Sequence, residues 1–378
     1  MLGLGIFSLS GRDIQNDQNP SIVPTNDELF LRVDKIRDIK LQEKHIQTPE
    51  SVRAVYMSSW IASSPKLRAG LIDFITESRI NSLVLDIKDY SGLIAFDIDH
   101  PLIDEYDTDS RRIPDIHDFL QELHDKDIYV IGRLTVFQDP LLAKAKPEFA
   151  FKRKDNGKTW TDRKDLAFIN PQKKDAWEYY AVIAEESYRL GFDEINFDYI
   201  RYPSDGNMKN LDYALGDSTK LSVMKSFYEF LDDRLRSQNI PISADLFGFT
   251  ASRTGGLTIG QNLDDALPHF DAIAPMVYPS HYPNNYLGYA NPAAHPYPIV
   301  KHEMEKAHER AKKLGLVEHN LRTWIQDFDM GAGYGVQKVQ DQIRASYDAG
   351  VMSYMVWDPS NKYTKSAYYE NLQNDTTQ

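Results

Sequence analysis

The 378-residue chain contains no cysteine, which excludes disulfides, thiolate metal sites and a cysteine nucleophile. No stretch of about 18 consecutive apolar residues occurs, so no segment is expected to span a membrane. Positive charge is in deficit, with 43 Lys and Arg against 56 Asp and Glu, a net charge of −13. Nucleic acids and anionic membranes reward basic patches, so neither is expected as a partner. The ten histidines are scattered, and His281 and His295 share a loop without the spacing of a ligand pair. The many carboxylates leave a Mg²⁺ or Ca²⁺ hydrolase or a lyase open as an alternative, but no Asp-rich ligand loop is evident. No cofactor and no metal site are expected.

What the sequence does have is an ordinary apolar share, 42%, and 12% aromatics with 22 Tyr and 17 Phe. A sizeable core can be buried, and rings with polar tips suit sugar-binding clefts as well as cores. Residues 1–10 (MLGLGIFSLS) are apolar but lack a basic leader and a cleavage site, and read as an anchor or export remnant or a frayed end. Residues 11–49 are polar and weakly periodic. We therefore take 1–50 as an N-terminal extension or linker and 51–378 as one domain.

Within that domain, short β-branched or aromatic runs alternate with amphipathic segments. Strands are expected at 53–60, 81–89, 128–137, 192–202, 241–249, 270–278, 321–328 and 351–357. Helices are expected at 65–78, 114–126, 171–190, 218–237, 263–268, 298–314, 336–349 and 364–372. Eight such units make an α/β fold, a (β/α)₈ TIM barrel with long βα loops and a short N-terminal extension. A doubly wound open sheet would carry a Gly-rich phosphate turn after its first strand, and none is present.

Parallel barrel strands are covered on both faces, so charged residues inside them need a reason. Here they collect at the C-terminal ends, the face where this fold builds active sites. They are Asp86, Lys88 and Asp89, then Arg133, Asp198 and Arg201, then Asp245, Tyr278, Gln326, Asp327 and Asp358. Glu194, Asn196 and Asp198 share one strand face, as do Ser243 and Asp245. Asp198 is the lead candidate for catalysis. Asp245 on the next strand is its expected partner, one carboxylate as nucleophile or stabiliser and the other as acid/base. Asp89, Asp327 or Asp358 are the alternatives to Asp245. Lys88 or Arg133 would hold the carboxylates ionised. Asp86, Lys88, Asp89, Arg133, Asn170, Tyr199, Arg201, Tyr278, Gln326, Trp357 and Asp358 are expected to bind substrate. Two insertions add to these: an Asn156-Gly157 hairpin carrying Trp160, and a Tyr- and Pro-rich loop at 278–298 that contains His281.

The segments DIKDYSG (86–92), INPQ (169–172), GFDEINFDYIRYP (191–203), SADLFG (243–248), APMVYPS (274–280) and GVMSYMVWDPS (350–360) resemble a bacterial family of glycoside hydrolase (β/α)₈ barrels, over about residues 52–369. The resemblance implies a carbohydrate substrate and an extracytoplasmic or cell-envelope location. A more distant likeness to chitinase-type glycosidases rests on Asp193, Asp198, Met276, Tyr278 and Trp357. Asn196 stands at that pattern's middle acidic position, and Ile200 stands where its catalytic Glu would fall. Substrate-assisted chitin hydrolysis is therefore not expected. The leading expectation is a monomeric glycoside hydrolase. The alternative is a carbohydrate-binding or envelope protein on a barrel without catalysis.

Overall fold

The computed structural model describes residues 45–316 and 321–369. Eight strands form a closed parallel barrel: β1 (Arg53–Met57), β2 (Ser82–Lys88), β3 (Tyr129–Thr135), β4 (Glu194–Asp198), β5 (Ile242–Phe247), β6 (Ala272–Met276), β7 (Arg322–Gln326) and β8 (Ser353–Trp357). Their order around the barrel follows the chain, and β1 closes it by pairing with β8 through Ala54 and Met355. This is the (β/α)₈ barrel expected from the sequence. The strands are shorter than the apolar runs that announced them; the first run, for example, passes into a helical turn at Ser59–Ala62. Among the described residues, no helix is long and apolar enough to cross a membrane.

Strand alternation divides the apolar residues into two sets. Val52, Ala54, Tyr56, Val84, Tyr129, Ile131, Ala274, Trp324 and Met355 pack inside the barrel. Their neighbours in sequence, such as Val55, Leu83, Leu85, Val130 and Ile195, face outward against the helices. The helix Lys220–Leu235 shows how the outer layer is made. Thr219 and Ser222 form a reciprocal cap at its start, and Val223, Met224, Phe227, Tyr228, Leu231 and Leu235 form its buried stripe. Burying each such large apolar side chain contributes about 1.5–3 kcal/mol.

Below the mouth the barrel is filled by a polar layer rather than by aliphatics. Arg322 grips Glu194 through both guanidinium nitrogens at 2.5 and 2.8 Å. Ser243 Oγ and Tyr129 OH donate to the same carboxylate at 2.6 and 2.9 Å. All lone pairs that matter are occupied, which is the condition under which a buried ion pair is tolerated. This layer supports the site above it.

Two expectations about the chain ends are revised or left aside. The expected closing helix at 364–372 is, within the described residues, a single 3₁₀ turn at Lys365–Ala367. Of the extension expected at 1–50, residues 1–44, which include the anchor remnant expected at 1–10, lie outside the described residues, while Ile46 N donates to Asp193 Oδ1 at 2.7 Å and Thr48 Oγ1 lies 2.9 Å from Tyr129 OH.

Candidate active site

One strand of the barrel decides the geometry of the mouth. On β4 the side chains of Glu194, Asn196 and Asp198 point inward, as the period-2 alternation requires. The next residue, Tyr199, has φ 54°, a left-handed conformation that is costly for a bulky side chain and is found where function holds it in place. The turn breaks the alternation. Ile200 goes into the outer core with no exposure, while Tyr199 and Arg201 line the cleft. The position at which a chitinase-type Glu would fall therefore does not face the mouth at all.

Arg133, at the end of β3, is the centre of the site. Its Nη1 donates to Asp86 Oδ1 at 2.8 Å. Its Nε and Nη2 both donate to Asp198 Oδ2, at 3.1 and 2.5 Å. Asp245 Oδ2 lies 4.0 Å from the same Nε. Two oxygens that flank one nitrogen at these distances lie within about 7 Å of each other, inside the span over which carboxylate pairs act on glycosidic bonds. The guanidinium also lies 5.2 Å from the Trp357 ring centre and 5.9 Å from that of Tyr56. Tyr56 OH donates to Asp86 Oδ2 at 2.5 Å and its ring stacks on Trp357 at 4.1 Å.

Asp245 is held differently. Its Oδ1 accepts from Trp324 Nε1 at 2.6 Å and from Asn196 Nδ2 at 3.1 Å. Burial and the neighbouring Asp198 charge push its pKa up to about 8, against the opposing pull of Arg133, Trp324 and Asn196. One guanidinium cannot neutralise three buried carboxylates, so the one farthest from it keeps its proton. Asp86 is also pushed up by burial, with Arg133 and Tyr56 pulling it back.

Above this cluster opens a cleft of about 510 Å³, walled by Phe247, Phe249, Met276, Tyr278, Tyr282 and Trp324 among others. Gly248 on its edge has a packing reason. A Cβ there would come 2.6 Å from the Met276 carbonyl oxygen and closer still to Tyr282 OH.

Of the residues singled out from the sequence, the structure gathers Arg133, Asp198, Tyr199, Arg201, Asp245, Tyr278, His281 and Trp357 around this cleft. The others are placed elsewhere. Asp86 does not line the cleft; its oxygens accept from Arg133 and Tyr56. Lys88 is fully buried outside the barrel, paired with Asp139 at 2.8 Å and bonded to Thr135 O at 2.7 Å. An irregularity in the β2–β3 register between Asp86 and Lys88 turns the two to opposite faces. Asp89 caps the turn at Ser91 and pairs with Arg112 at 2.7 Å. Asn170 Oδ1 accepts from Gln172 N, and Gln326 joins Ser280 N to Phe328 O. Asp327 binds Thr364 and Tyr368, and Asp358 accepts from Ser360 N. These are loop fasteners.

The expected hairpin is present, with Arg153 N donating to Lys158 O and Gly157 N donating to Arg153 O around Asn156-Gly157. Trp160, however, is 2% exposed. Its Nε1 donates to Asn207 O at 3.1 Å and its ring lies under Gly206, so it locks the β3 and β4 loops together. It is a core residue, not a sugar platform. In the loop after β6, Tyr278, His281 and Tyr282 reach the cleft, whereas Tyr286 bonds Glu303, Tyr289 packs on His295 and Tyr297 bonds Asp348. Sequence reading missed Tyr56, Trp324 and the pair Phe247 and Phe249. Trp324 was recoverable, since it sits two residues from Arg322 on the inward face of β7.

Among the described residues no group of three His, Asp or Glu side chains is arranged to hold a metal ion. The acids that converge here are bridged by a guanidinium.

Comparison with known structures recovers the barrel. The C-terminal domain of a "putative chitinase" from Desulfitobacterium hafniense superposes with a TM-score of 0.53 at 11% identity, over 84% of this chain and 96% of that one. The spore cortex-lytic enzyme SleL of Bacillus megaterium gives 0.50 at 10% identity, over 86% and 75%. A β-N-acetylhexosaminidase gives 0.52 at 12% identity, over 82% and 67%. At these identities the likeness is one of fold. No curated protein matches the sequence. A family model described as "Putative glycosyl hydrolase domain" matches residues 54–363, from β1 to beyond β8, and the chain belongs to that family.

Proposed function

We propose that the protein hydrolyses a glycosidic bond in an oligo- or polysaccharide, with Asp245 as the general acid and Asp198 as the carboxylate that meets the anomeric centre. The observation that carries this reading is the unequal treatment of two neighbouring acids. Asp198 is the ion-pair partner of Arg133, while Asp245 has one oxygen occupied by two N–H donors and a pKa near 8. Environments that push paired carboxylates apart divide acid from base, as glycosidase chemistry requires. Protonated at neutral pH, Asp245 would present its proton on Oδ2 to the leaving oxygen. Asp198, held by Arg133, would stabilise or attack the oxocarbenium-like centre. Trp357 offers its ring to the sugar, with the Tyr278 edge beside it, while Trp324 is buried and holds Asp245.

The family model and the fold support carbohydrate as substrate. A second reading, sugar binding without hydrolysis, is favoured by the burial of Ile200. Reducing-end release from a panel of bacterial and plant polysaccharides tests both. Release by the intact protein that disappears in Asp198→Asn and in Asp245→Asn supports the hydrolase. Retention of a glycan without release, unchanged by either substitution, supports the binding reading instead.

A further inference from the structure

Four arginines are buried among the described residues: Arg68, Arg133, Arg201 and Arg322. Three of them carry carboxylates. Arg68 pairs with Asp115 at 2.6 Å, Arg133 with Asp86 and Asp198, and Arg322 with Glu194. Arg201 is the exception. It is 9% exposed, and among the described residues no carboxylate lies within 4.0 Å of its guanidinium. Its Nη1 donates to Tyr202 O at 3.2 Å and Ser204 Oγ at 3.3 Å, both neutral acceptors.

The guanidinium is nevertheless held firmly. It lies 4.7 Å from the Tyr199 ring centre and 4.9 Å from that of Phe247, over both aromatic rings. Tyr199 is the residue in the left-handed conformation, so the strain at the end of β4 serves to place both side chains. Asp198 and Asp205 act on it only at longer range, and burial outweighs them; a buried cation with no carboxylate in contact is costly, and a fold keeps one where a ligand supplies that contact.

The position of Arg201 says where that ligand lies. Arg201 and Tyr199 line the main cleft beside Asp198, and they also line a second cavity of about 240 Å³. That cavity runs between the β3 and β4 loops and is bordered by Tyr90, Asp162, Lys164 and Asp205. Tyr90 is 59% exposed, a ring turned to solvent beside the second cavity. The two cavities share one wall, and the guanidinium stands in it.

We propose that Arg201 recognises a ring carboxylate, so that the substrate is an acidic saccharide carrying a uronic-acid-type unit at the junction of the two cavities. This rests on the glycosidase reading above. A guanidinium fork matches a carboxylate in plane and in donor spacing, and a planar stacked arginine is already organised for it. A neutral hydroxyl would leave the guanidinium with only the longer-range fields of Asp198 and Asp205. The net charge of −13 does not oppose this, since a single carboxylate met at contact differs from long-range attraction of a polyanion. Asp162 and Asp205 at the outer cavity make a run of adjacent carboxylates unfavourable and fit a substrate in which acidic and neutral units alternate.

The test uses the intact 378-residue protein. Glucuronoxylan, hyaluronan and oligogalacturonate fragments are each compared with their carboxyl-reduced forms, in which CH₂OH replaces the carboxylate and every linkage is retained. Affinity is measured by calorimetry and turnover by reducing-end release. The expected result is that at least one acidic glycan binds about tenfold or more tightly than its reduced form, the usual worth of a charge-assisted bond in a dry site. Arg201→Gln should erase that preference and Arg201→Lys should restore part of it. Equal affinity for the two forms, preference for the reduced form, or binding of neither form overturns the proposal. The same experiment separates it from the hydrolase reading. Acidic glycans bound selectively but never cleaved would sink catalysis alone, and neutral glycans cleaved without selectivity would sink the acidic substrate alone.

Discussion

Replacing Asp245 should stabilise the protein at pH 8 and leave it unchanged near pH 4. The carboxyl is 1% exposed, and its pKa of about 8 stands against a value of 3.8 in the unfolded chain. A group whose folded pKa is raised contributes its full stability below the unfolded value, and that contribution falls as pH rises towards the folded one. Between pH 4 and pH 8 the unfolded chain releases this proton and the folded chain keeps it, so stability declines with rising pH. At about 1.4 kcal/mol per pH unit the ceiling on the loss by pH 8 is about 5 kcal/mol. Movement of Arg133 towards the new charge and entry of water from the cleft lower it, and an effect of about 2 kcal/mol is expected. Asp245→Asn keeps the shape and retains an oxygen for Trp324 and Asn196, but it cannot ionise. The variant should therefore match the wild type near pH 4 and exceed its stability at pH 8. Urea denaturation followed by tryptophan fluorescence at pH 4.5, 6 and 8 reads the difference directly, since the Trp324 indole donates to this carboxyl. If the midpoints of the two proteins change in parallel across that range, Asp245 is not a buried neutral acid, and its assignment as general acid falls with it. Gained stability together with lost hydrolysis is the signature of a site residue that strains its own fold.

The remaining predictions concern the surrounding groups. Hydrolysis by the wild type should fall as pH rises through about 8, where Asp245 gives up its proton; a rate profile over pH 5–10 with no alkaline limb would contradict the acid role. Arg133→Met leaves Asp86 and Asp198 buried without their cation and should cost about 3–5 kcal/mol, more at pH 8 than at pH 5 because acid restores neutrality. Chemical denaturation at the two pH values checks this, and equal losses would refute it. Trp160→Ala should destabilise the protein by about 3–5 kcal/mol through the cavity it leaves between the β3 and β4 loops. Trp357→Ala, by contrast, should weaken glycan affinity at much smaller cost in melting temperature; affinity calorimetry with thermal melts on both variants separates core from cleft.

How much of this was written in the chain can be judged strand by strand. The eight-fold alternation of apolar runs and amphipathic segments was legible because the solvation of each face is decided within a few residues. The inward set on β4, Glu194, Asn196 and Asp198, and the pair Ser243 and Asp245 on β5, follow from the two-residue period alone. So does the location of the site at the strand ends. The same period misplaced Lys88, because one register irregularity after Asp86 depends on how β2 meets β3. It also could not show that Tyr199 breaks the strand and sends Ile200 into the outer core. Trp160 looked like a platform because an aromatic residue on a hairpin has no local sign of what will cover it; Gly206, 46 positions later, does so.

By itself, then, the sequence determined the barrel, the face on which the cleft opens and the acids that point towards it, since these are properties of local periodicity and of charge within buried strands. Only the tertiary structure decided which acid keeps a proton, which cation is spent and which is spare. Arg133 and Arg201 are the same residue type at the ends of adjacent strands, yet one meets carboxylates from β2 and β4 and the other, among the described residues, has none within 4.0 Å. That difference arises from where distant strands and loops bring their charges, and electrostatic energy depends on those distances rather than on order along the chain.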